Sequence, residues 1–429
     1  MANAALSGED AAWLHMERDD NLMVVCGVVE LATPLEFTRL EALVRQRLLS
    51  IERFTQRVVE PAGHFGPPRW ACAPGFDLAH HLIRVDAGPR DERELQQWLG
   101  TLISEPLDRD QPLWRIHFLP RYGAGSLVIV RVHHALADGF ALLYVLMALC
   151  DAAGNARVTI PTPSVSALQE AKQALRQPWR ARRLLGLGKR FGRSLAGLIT
   201  SPMDPTTPLK GPLAVQKRVA WTAPFTLERV RSAAQRHEAT INDVLVSCVA
   251  GALRRYLGTR RADPNVELHA MVPVNLRSQE RALAELGNRF GLVIFPLPVF
   301  LADPVERLEK VKKQMIAVKG TPEAIVAMGL LYGMGLAPVV LERLLVGFFA
   351  PKASAVLTNV PGPRERISLA GCDVSRLMFW VPQSGRLAVG ISLVSYAGNV
   401  VVGVMTDAGC VPDPESIVTG FEAELAALR

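Results

Sequence analysis

Residues 131–140 read RVHHALADGF: His133 and His134 stand side by side, with Asp138 four positions after the second and Gly139 next to it. A neutral imidazole titrates near pH 6.5, and one held beside a substrate hydroxyl can take its proton, an effect of about 10²–10⁴ in rate. Adjacent side chains on a strand point to opposite faces. His133 therefore continues the side of Ile129 and Arg131, and His134 that of Val128, Val130 and Val132. One ring is expected to work on a substrate while the other supports it. Asp138 can fix the loop through a hydrogen bond or ion pair, and Gly139 permits a backbone turn that other residues resist. Two other readings stay open. A metal site would use His133, His134 and Asp138, but no further donor stands at ligand spacing. A purely structural pair at the end of an apolar strand would need buried partners for both rings.

The flanking sequence says what must position these groups. Apolar, mostly β-branched residues run from Leu127 to Val130, with Val132 beyond Arg131, after a Gly-containing turn at Tyr122–Gly125. That is the pattern of a strand buried on both faces. Ala141–Leu149 reads as a short apolar helix, so the motif sits where a strand hands over to a helix, a place where α/β folds put functional groups. Leu40, Leu43, Val44, Leu48 and Ile51 recur at helical spacing among charges. TINDVLVSCVAGALRRYL opens on a Thr/Asn/Asp cluster suited to capping a helix. LHAMVPVNL, FGLVIFPLPV, LAVGISLVSY and VVVGVMTD read as strands, the last two joined by a hairpin turn at Ala397-Gly398-Asn399. His80-His81 has no Asp-Gly behind it, which predicts a structural or surface role.

Between about Asp151 and Arg218, seven prolines break the pattern. No acid occurs from Ala171 to Met203, while Lys189, Arg190 and Arg193 are among the bases there. Leu184, Leu187, Phe191, Leu195 and Leu198 would share one helical face opposite those bases, the pattern of a helix in a lipid interface or of a linker docked on its own protein. The expected fold is α/β: two α+β sandwiches, residues 1–155 and 218–429, joined by a basic, Pro-rich crossover over 156–217.

A net charge of +7, 49% hydrophobic residues and a mean hydropathy of +0.18 describe a folding chain with much apolar surface. With 6% aromatic residues and no recognition motif, nucleic acid is not the expected partner; anionic headgroups or a phosphorylated cosubstrate fit the charge. Six scattered cysteines without a CxxC read as reduced thiols of an intracellular protein. The opening residues carry acids and no apolar h-region, which predicts no secretory leader. Gly329, Gly333, Gly335 and Pro338 break the apolar run Ile325–Leu341, which favours a buried or interfacial helix pair over a membrane span. No GxSxG, Walker or GxGxxG element stands in a suitable context, against serine hydrolase, NTPase and dinucleotide chemistry.

HHALADG matches the HHxxxDG motif of the superfamily that includes chloramphenicol acetyltransferase, nonribosomal-peptide condensation domains and wax ester synthases. FDLAHHLIRV, PLDRDQPLW, TPLKGPL, INDVLVSCVAGALRRYL, MVPVNLR, GNRFG and TNVPGP narrow it, in that order along the chain. Together with LSGEDAAWLHMERDDNLMVV at the start, they resemble the bacterial wax ester synthase/diacylglycerol acyltransferase family over nearly the whole chain. His80 stands where that family commonly has tyrosine. The resemblance implies two chloramphenicol-acetyltransferase-like subdomains with a tunnel between them. It implies acyl transfer from a fatty acyl-CoA cosubstrate to a long-chain alcohol or diacylglycerol, with no cofactor or metal. Its residue roles make His134 the general base, His133 its support, Asp138 the holder of the loop and Gly139 the turn. Pro112, Leu113 and Trp114 belong to a family motif, Asn242 and Asp243 to its ND pair, and Asn359 to a channel wall. The protein is expected in the cytoplasm, peripheral to the inner membrane face or lipid droplets, with Lys189, Arg190 and Arg193 as membrane contacts. Carrier-protein condensation and a non-catalytic lipid-binding role are the rival functions.

Overall fold

The computed structural model describes residues 4–61, 66–151, 192–275, 287–288, 290–319, 323–383 and 385–428. The first half contains α1 (Gly8–Met16), β1 (Val24–Leu31), α2 (Phe37–Leu43), the hairpin β2 (Gln56–Val59)–β3 (Arg69–Cys72), β4 (Leu82–Arg84), α3 (Glu92–Ser104), β5 (Trp114–Tyr122), β6 (Gly125–His133) and α4 (Gly139–Leu149). Past the crossover, a helix α5 spans 192–200. It is followed by β7 (Lys217–Trp221), β8 (Phe225–Thr226), α6 (Leu227–Arg236), α7 (Ile241–Thr259), β9 (Leu268–Asn275), β10 (Phe290–Leu297), α8 (Pro304–Lys319), α9 (Glu323–Leu336) and α10 (Val339–Phe349). Five strands and a helix complete the described chain: β11 (Ala355–Pro361), β12 (Ser368–Leu369), β13 (Cys372–Trp380), the hairpin β14 (Val389–Tyr396)–β15 (Asn399–Asp407), and α11 (Pro414–Ala427).

Two mixed sheets carry the molecule, as the sequence pattern requires of two α+β sandwiches. One has the order β12-β13-β1-β6-β5-β4, the other β10-β9-β11-β14-β15-β7 with β8 added on β15. The central strand β6 is buried at every position except half-buried Val130. Val128 and Val132 pack into the first core; Leu127 and Ile129, on the opposite face, pack with Val219, Trp221 and Met405 of the second half. Both faces are covered, which is why the strand lacks simple polar alternation. Thr240 and Asp243 form a reciprocal capping box on α7. In the β14–β15 hairpin, Ala397 and Gly398 take φ of 46° and 79°, the left-handed pair that a two-residue turn demands.

The halves are not separate along the chain. β12 and β13 lie within residues 218–429, yet β13 pairs antiparallel with β1 in the first sheet, from Cys26↔Trp380 to Leu31↔Val374. An uncovered β1 edge would offer a row of unpaired backbone groups, and the C-terminal half closes it. The expected division into 1–155 and 218–429 is therefore interrupted by this exchanged strand. Of the crossover residues named above, Lys189, Arg190, Leu184, Leu187 and Phe191 lie outside the described residues. Arg193 is exposed on α5, and Leu198 is buried. The apolar run Ile325–Leu341 breaks at Ala337-Pro338 into α9 and α10. Among the described residues, no single helix is long and apolar enough to cross a membrane.

A buried ion pair within the second sheet holds a lysine that also reaches the first half. Lys217 Nζ lies 2.6 Å from Asp407 Oδ2, and it also donates to the carbonyls of Asp20 and Ala214. Asp407 also accepts from the amides of Ala214, Gly409 and Cys410. Removing one partner of such a pair strands the other charge, at a cost of about 3–5 kcal/mol. Lys217→Met is expected to cost toward the lower end, because three amide donors still face the carboxylate. A thermal melt should show a clear drop in Tm; an unchanged melt would mean that the pair contributes nothing.

Candidate active site

The strand β6 ends at His133, and His134 lies in the turn that follows. Ladder contacts hold both backbones: the His133 amide donates to the Leu113 carbonyl at 2.9 Å, and the His134 amide to Met23 O at 2.7 Å. The two rings then diverge to separate partners.

His134 is buried, and its ring stacks on Trp13 of α1, centroids 4.0 Å apart and planes 18° from parallel. Its Nδ1 lies 2.8 Å from Asn288 Oδ1. The Asn288 Nδ2 donates to two acceptors, Asp10 Oδ1 and the His134 carbonyl, each at 2.8 Å. The reversed amide would aim its oxygen at a carboxylate and a carbonyl, so Oδ1 is the atom that faces the ring. Nδ1 must then be the donor, and the proton of the neutral ring sits there. Nε2 is left with a free lone pair and, among the described residues, no hydrogen-bond partner. Burial pushes the His134 pKa down to about 4, against the Asp138 charge and the Asn288 hydrogen bond, which work to raise it. The ring is thus fully in its basic form at neutral pH.

Asp10, at the far end of this chain, also receives the Asn288 backbone amide at 2.8 Å. Burial raises its pKa to about 6, opposed by Arg53 and Asn288. Sequence reasoning missed Asp10, Trp13 and Asn288 as site residues. The signal was present in the stretches LSGEDAAW and GNRFG, but nothing in one sequence says that segments 278 residues apart meet.

His133 takes a supporting position. Its Nδ1 accepts from the Ala135 amide at 3.0 Å, which puts the proton on Nε2, 2.9 Å from Glu17 Oε2. Burial works to raise the Glu17 pKa, but His133, Arg109 and the Met23 amide outweigh it and hold it at about 2. Arg109, from PLDRDQPLW, also donates to Leu14 O at the end of α1. Of the neighbouring motif residues, Pro112, Leu113 and Trp114 are all buried. Trp114 donates Nε1 to Phe54 O at 2.8 Å and stacks on His81. His81 is buried against the Trp114 carbonyl and His80 is exposed, which matches the structural and surface roles expected of that second pair.

Asp138 caps α4, its Oδ1 accepting from the Ala141 amide at 2.7 Å. Gly139 departs from expectation. It is the first residue of α4, it is not among the residues with positive φ, and a Cβ there would meet no atom within 4 Å. No strained turn needs it. Its bare Cα instead borders an apolar cavity of about 120 Å³, lined from both halves by residues including Val25, Val132, Leu142, Leu146 and Val360. Asn359, beside Val360 on β11, donates Nδ2 to Asn242 Oδ1 at 2.9 Å, so two of the three C-terminal motif residues meet. Asp243 caps α7 with its carboxylate, receiving the Thr240 amide at 2.9 Å. Among the described residues, no three His, Cys, Asp or Glu side chains converge as a metal site would need.

Histidine-selective ¹⁵N labelling should show His134 neutral and protonated on Nδ1 from pH 8 down to about pH 5. Asn288→Leu should abolish that tautomer preference. A His134 that titrates near 6.5 would contradict the buried, Asn288-bound ring.

Comparison with known proteins adds an independent line. The family model for the wax ester synthase/diacylglycerol acyltransferase catalytic domain matches residues 6–245, and that for the WS/DGAT C-terminal domain matches 286–429. A putative diacylglycerol O-acyltransferase of Mycobacterium tuberculosis is 29% identical, covering 99% of this chain and 89% of its own. A second, probable, diacylglycerol O-acyltransferase of that organism is 27% identical over 98% and 94%. Among solved structures, the wax ester synthase/diacylglycerol acyltransferase from Marinobacter aquaeolei VT8 superposes with a TM-score of 0.71 at 21% identity, covering 99% of this chain and 98% of that one. The first condensation domain of the calcium-dependent antibiotic synthetase gives 0.65 at 18%, covering 100% and 95%. The two structures share the fold. Because the catalytic-domain model alone spans more than half of it, this chain belongs to the wax ester synthase/diacylglycerol acyltransferase family.

Proposed function

We propose that this O-acyltransferase moves a fatty acyl group from a CoA thioester to the hydroxyl of a long-chain alcohol or a diacylglycerol, with His134 as general base. The free lone pair on His134 Nε2, fixed by the Asn288 hydrogen bond at Nδ1, carries this reading. Nε2 takes the hydroxyl proton as the oxygen attacks the thioester carbonyl carbon. When the C–S bond breaks, the same proton passes to the leaving thiolate, so the ring ends neutral. Trp13 and Asn288 keep the ring from turning during both transfers. His133 and Asp138 act behind it: His133 through Glu17 on the end of α1, Asp138 by fixing the start of α4.

The apolar cavity beside Gly139 suits a segment of acyl chain, and a leucine there would project into that space. Neither cofactor nor metal enters the chemistry, since base, nucleophile and activated thioester suffice. The exposed Arg193 and its basic neighbours in sequence support peripheral contact with an anionic membrane or lipid droplet from the cytoplasmic side. The fold alone also fits carrier-protein condensation, and acyl-CoA against acyl-carrier protein as donor separates the two.

Purified protein given palmitoyl-CoA with hexadecanol and with a diacylglycerol should form ester, and His134→Ala should lower the rate at least about 10²-fold while staying folded. The base must be unprotonated to act, so with a folded pKa near 4 activity should hold as pH falls past 6.5 and decline only toward 4. Near-normal turnover by His134→Ala would remove the assignment. Gly139→Leu should keep the fold and shift preference from long toward short acyl-CoA; an unchanged chain-length profile would separate the cavity from the acyl group.

A further inference from the structure

The outward face of α9 and α10 has no part in the site described above. α9 is apolar nearly all round, and such a helix is normally buried on every side. Its inner face is buried: Ala324, Ala327, Leu331, Met334 and Gly335 pack inward. The fit on α1 is backbone to backbone, since a Cβ on Gly335 would collide with the Gly8 carbonyl, and one on Gly8 with that of Tyr332. α10 is fastened to the same helix by His15 Nδ1, 2.9 Å from the buried Glu342 Oε2. With that side committed, Tyr332, Leu336, Val340, Leu341, Leu344 and Phe348 face outward, exposed from 38% at Phe348 to 73% at Val340.

The patch continues onto α5. Lys352 Nζ, 4.6 Å above the Phe348 ring, donates to the carbonyls of Ile199 and Ser201, which brings exposed Leu195, Ile199 and Met203 alongside. A second apolar cavity, about 90 Å³, opens between α5, α9 and α10, with Leu198, Leu330, Val346 and Phe349 in its walls. The charges settle what covers this face. From Ala324 to Pro351 the only charged residues are Glu342, buried on His15, and Arg343, which is exposed; from Gly192 to Met203 there is only exposed Arg193. Monomeric proteins rarely leave so many large apolar side chains together in water. A two-fold contact with a second copy would bring the exposed Arg193 and Arg343 against a face that offers them no exposed acid within these stretches. An anionic lipid surface accepts both the apolar side chains and the cations.

We propose that the α9–α10 hairpin, with the end of α5, is the surface by which the protein seats on an anionic lipid layer. The vesicle-binding part stands apart from acyl transfer; its link to turnover rests on the function proposed above. Seated this way, the lipid-facing hairpin is one helix from His134, because α1 carries both the Gly8 contact and Trp13.

The test compares the full chain with Leu336→Glu/Leu344→Glu and, separately, Val340→Glu, all at exposed positions. Binding is read by co-sedimentation with phosphatidylglycerol/phosphatidylcholine vesicles. Turnover of palmitoyl-CoA is read with diacylglycerol held in those vesicles and with a water-soluble short-chain alcohol. The double variant should bind vesicles at least about 10-fold more weakly and lose turnover of vesicle-held diacylglycerol, with soluble-alcohol turnover kept within about 2-fold; Val340→Glu should show a smaller loss of the same kind. Vesicle binding equal to wild type in both variants would overturn the proposal. So would a wild-type dimer that the variants convert to monomer, which would assign the face to a second copy. If the wild type turns over neither acceptor, the acyl-transfer reading fails, and the sedimentation result still decides the docking surface.

Discussion

The site depends on the orientation of one amide. Asn288 comes from the second half of the chain, while both of its side-chain partners, Asp10 and His134, come from the first. Its nitrogen is held by two acceptors, so its oxygen is left to the imidazole, and the imidazole proton is left no choice of nitrogen. The basic lone pair of His134 therefore exists in the right place only when the two halves are assembled. The donation from Lys217 to the Asp20 carbonyl and the exchanged strand β13 maintain that assembly.

Burial acts in two directions along this chain of groups. It strips His134 of proton affinity and so guarantees a free base at neutral pH, but it also weakens that base. It makes the Asp10 carboxylate reluctant to ionise, which Arg53 and the two Asn288 donors oppose. The Trp13 stack adds about 0.5–1.5 kcal/mol, as for an aromatic pair, and restrains the plane of the ring. Glu17 and His133 form a second, separate relay that braces the end of α1 against the end of β6. Two adjacent histidines thus serve two different networks, each reaching back to the same N-terminal helix.

Much of this was legible in the sequence because it is local. The run Leu127–Val132 marks a strand buried on both faces, the apolar stretch Ala141–Leu149 marks a helix, and Ala397-Gly398 turns a hairpin, all from neighbours within a few positions. The double histidine at the strand's end follows from those elements. What was not legible is non-local: Asp10, Trp13, Glu17 and Asn288 reach His133 or His134 across long stretches of chain, and no period or spacing encodes such meetings. Gly139 misled for a different reason. A glycine after an aspartate suggests a turn, yet its value here is the side chain it lacks, and empty space beside a residue leaves no mark in sequence. The pairing of β13 with β1 was hidden likewise, because a strand's pattern shows which face is buried and not which neighbour it joins.

That exchanged strand has a mechanical consequence. With β13 hydrogen-bonded along β1 and its core shared by both sheets, the halves cannot swing apart like jaws without tearing a ladder of backbone bonds. Any access to the interior must therefore be made with the two halves still joined along that ladder. Admission is then governed by the motion of loops and side chains at the seam, not by the separation of two rigid bodies.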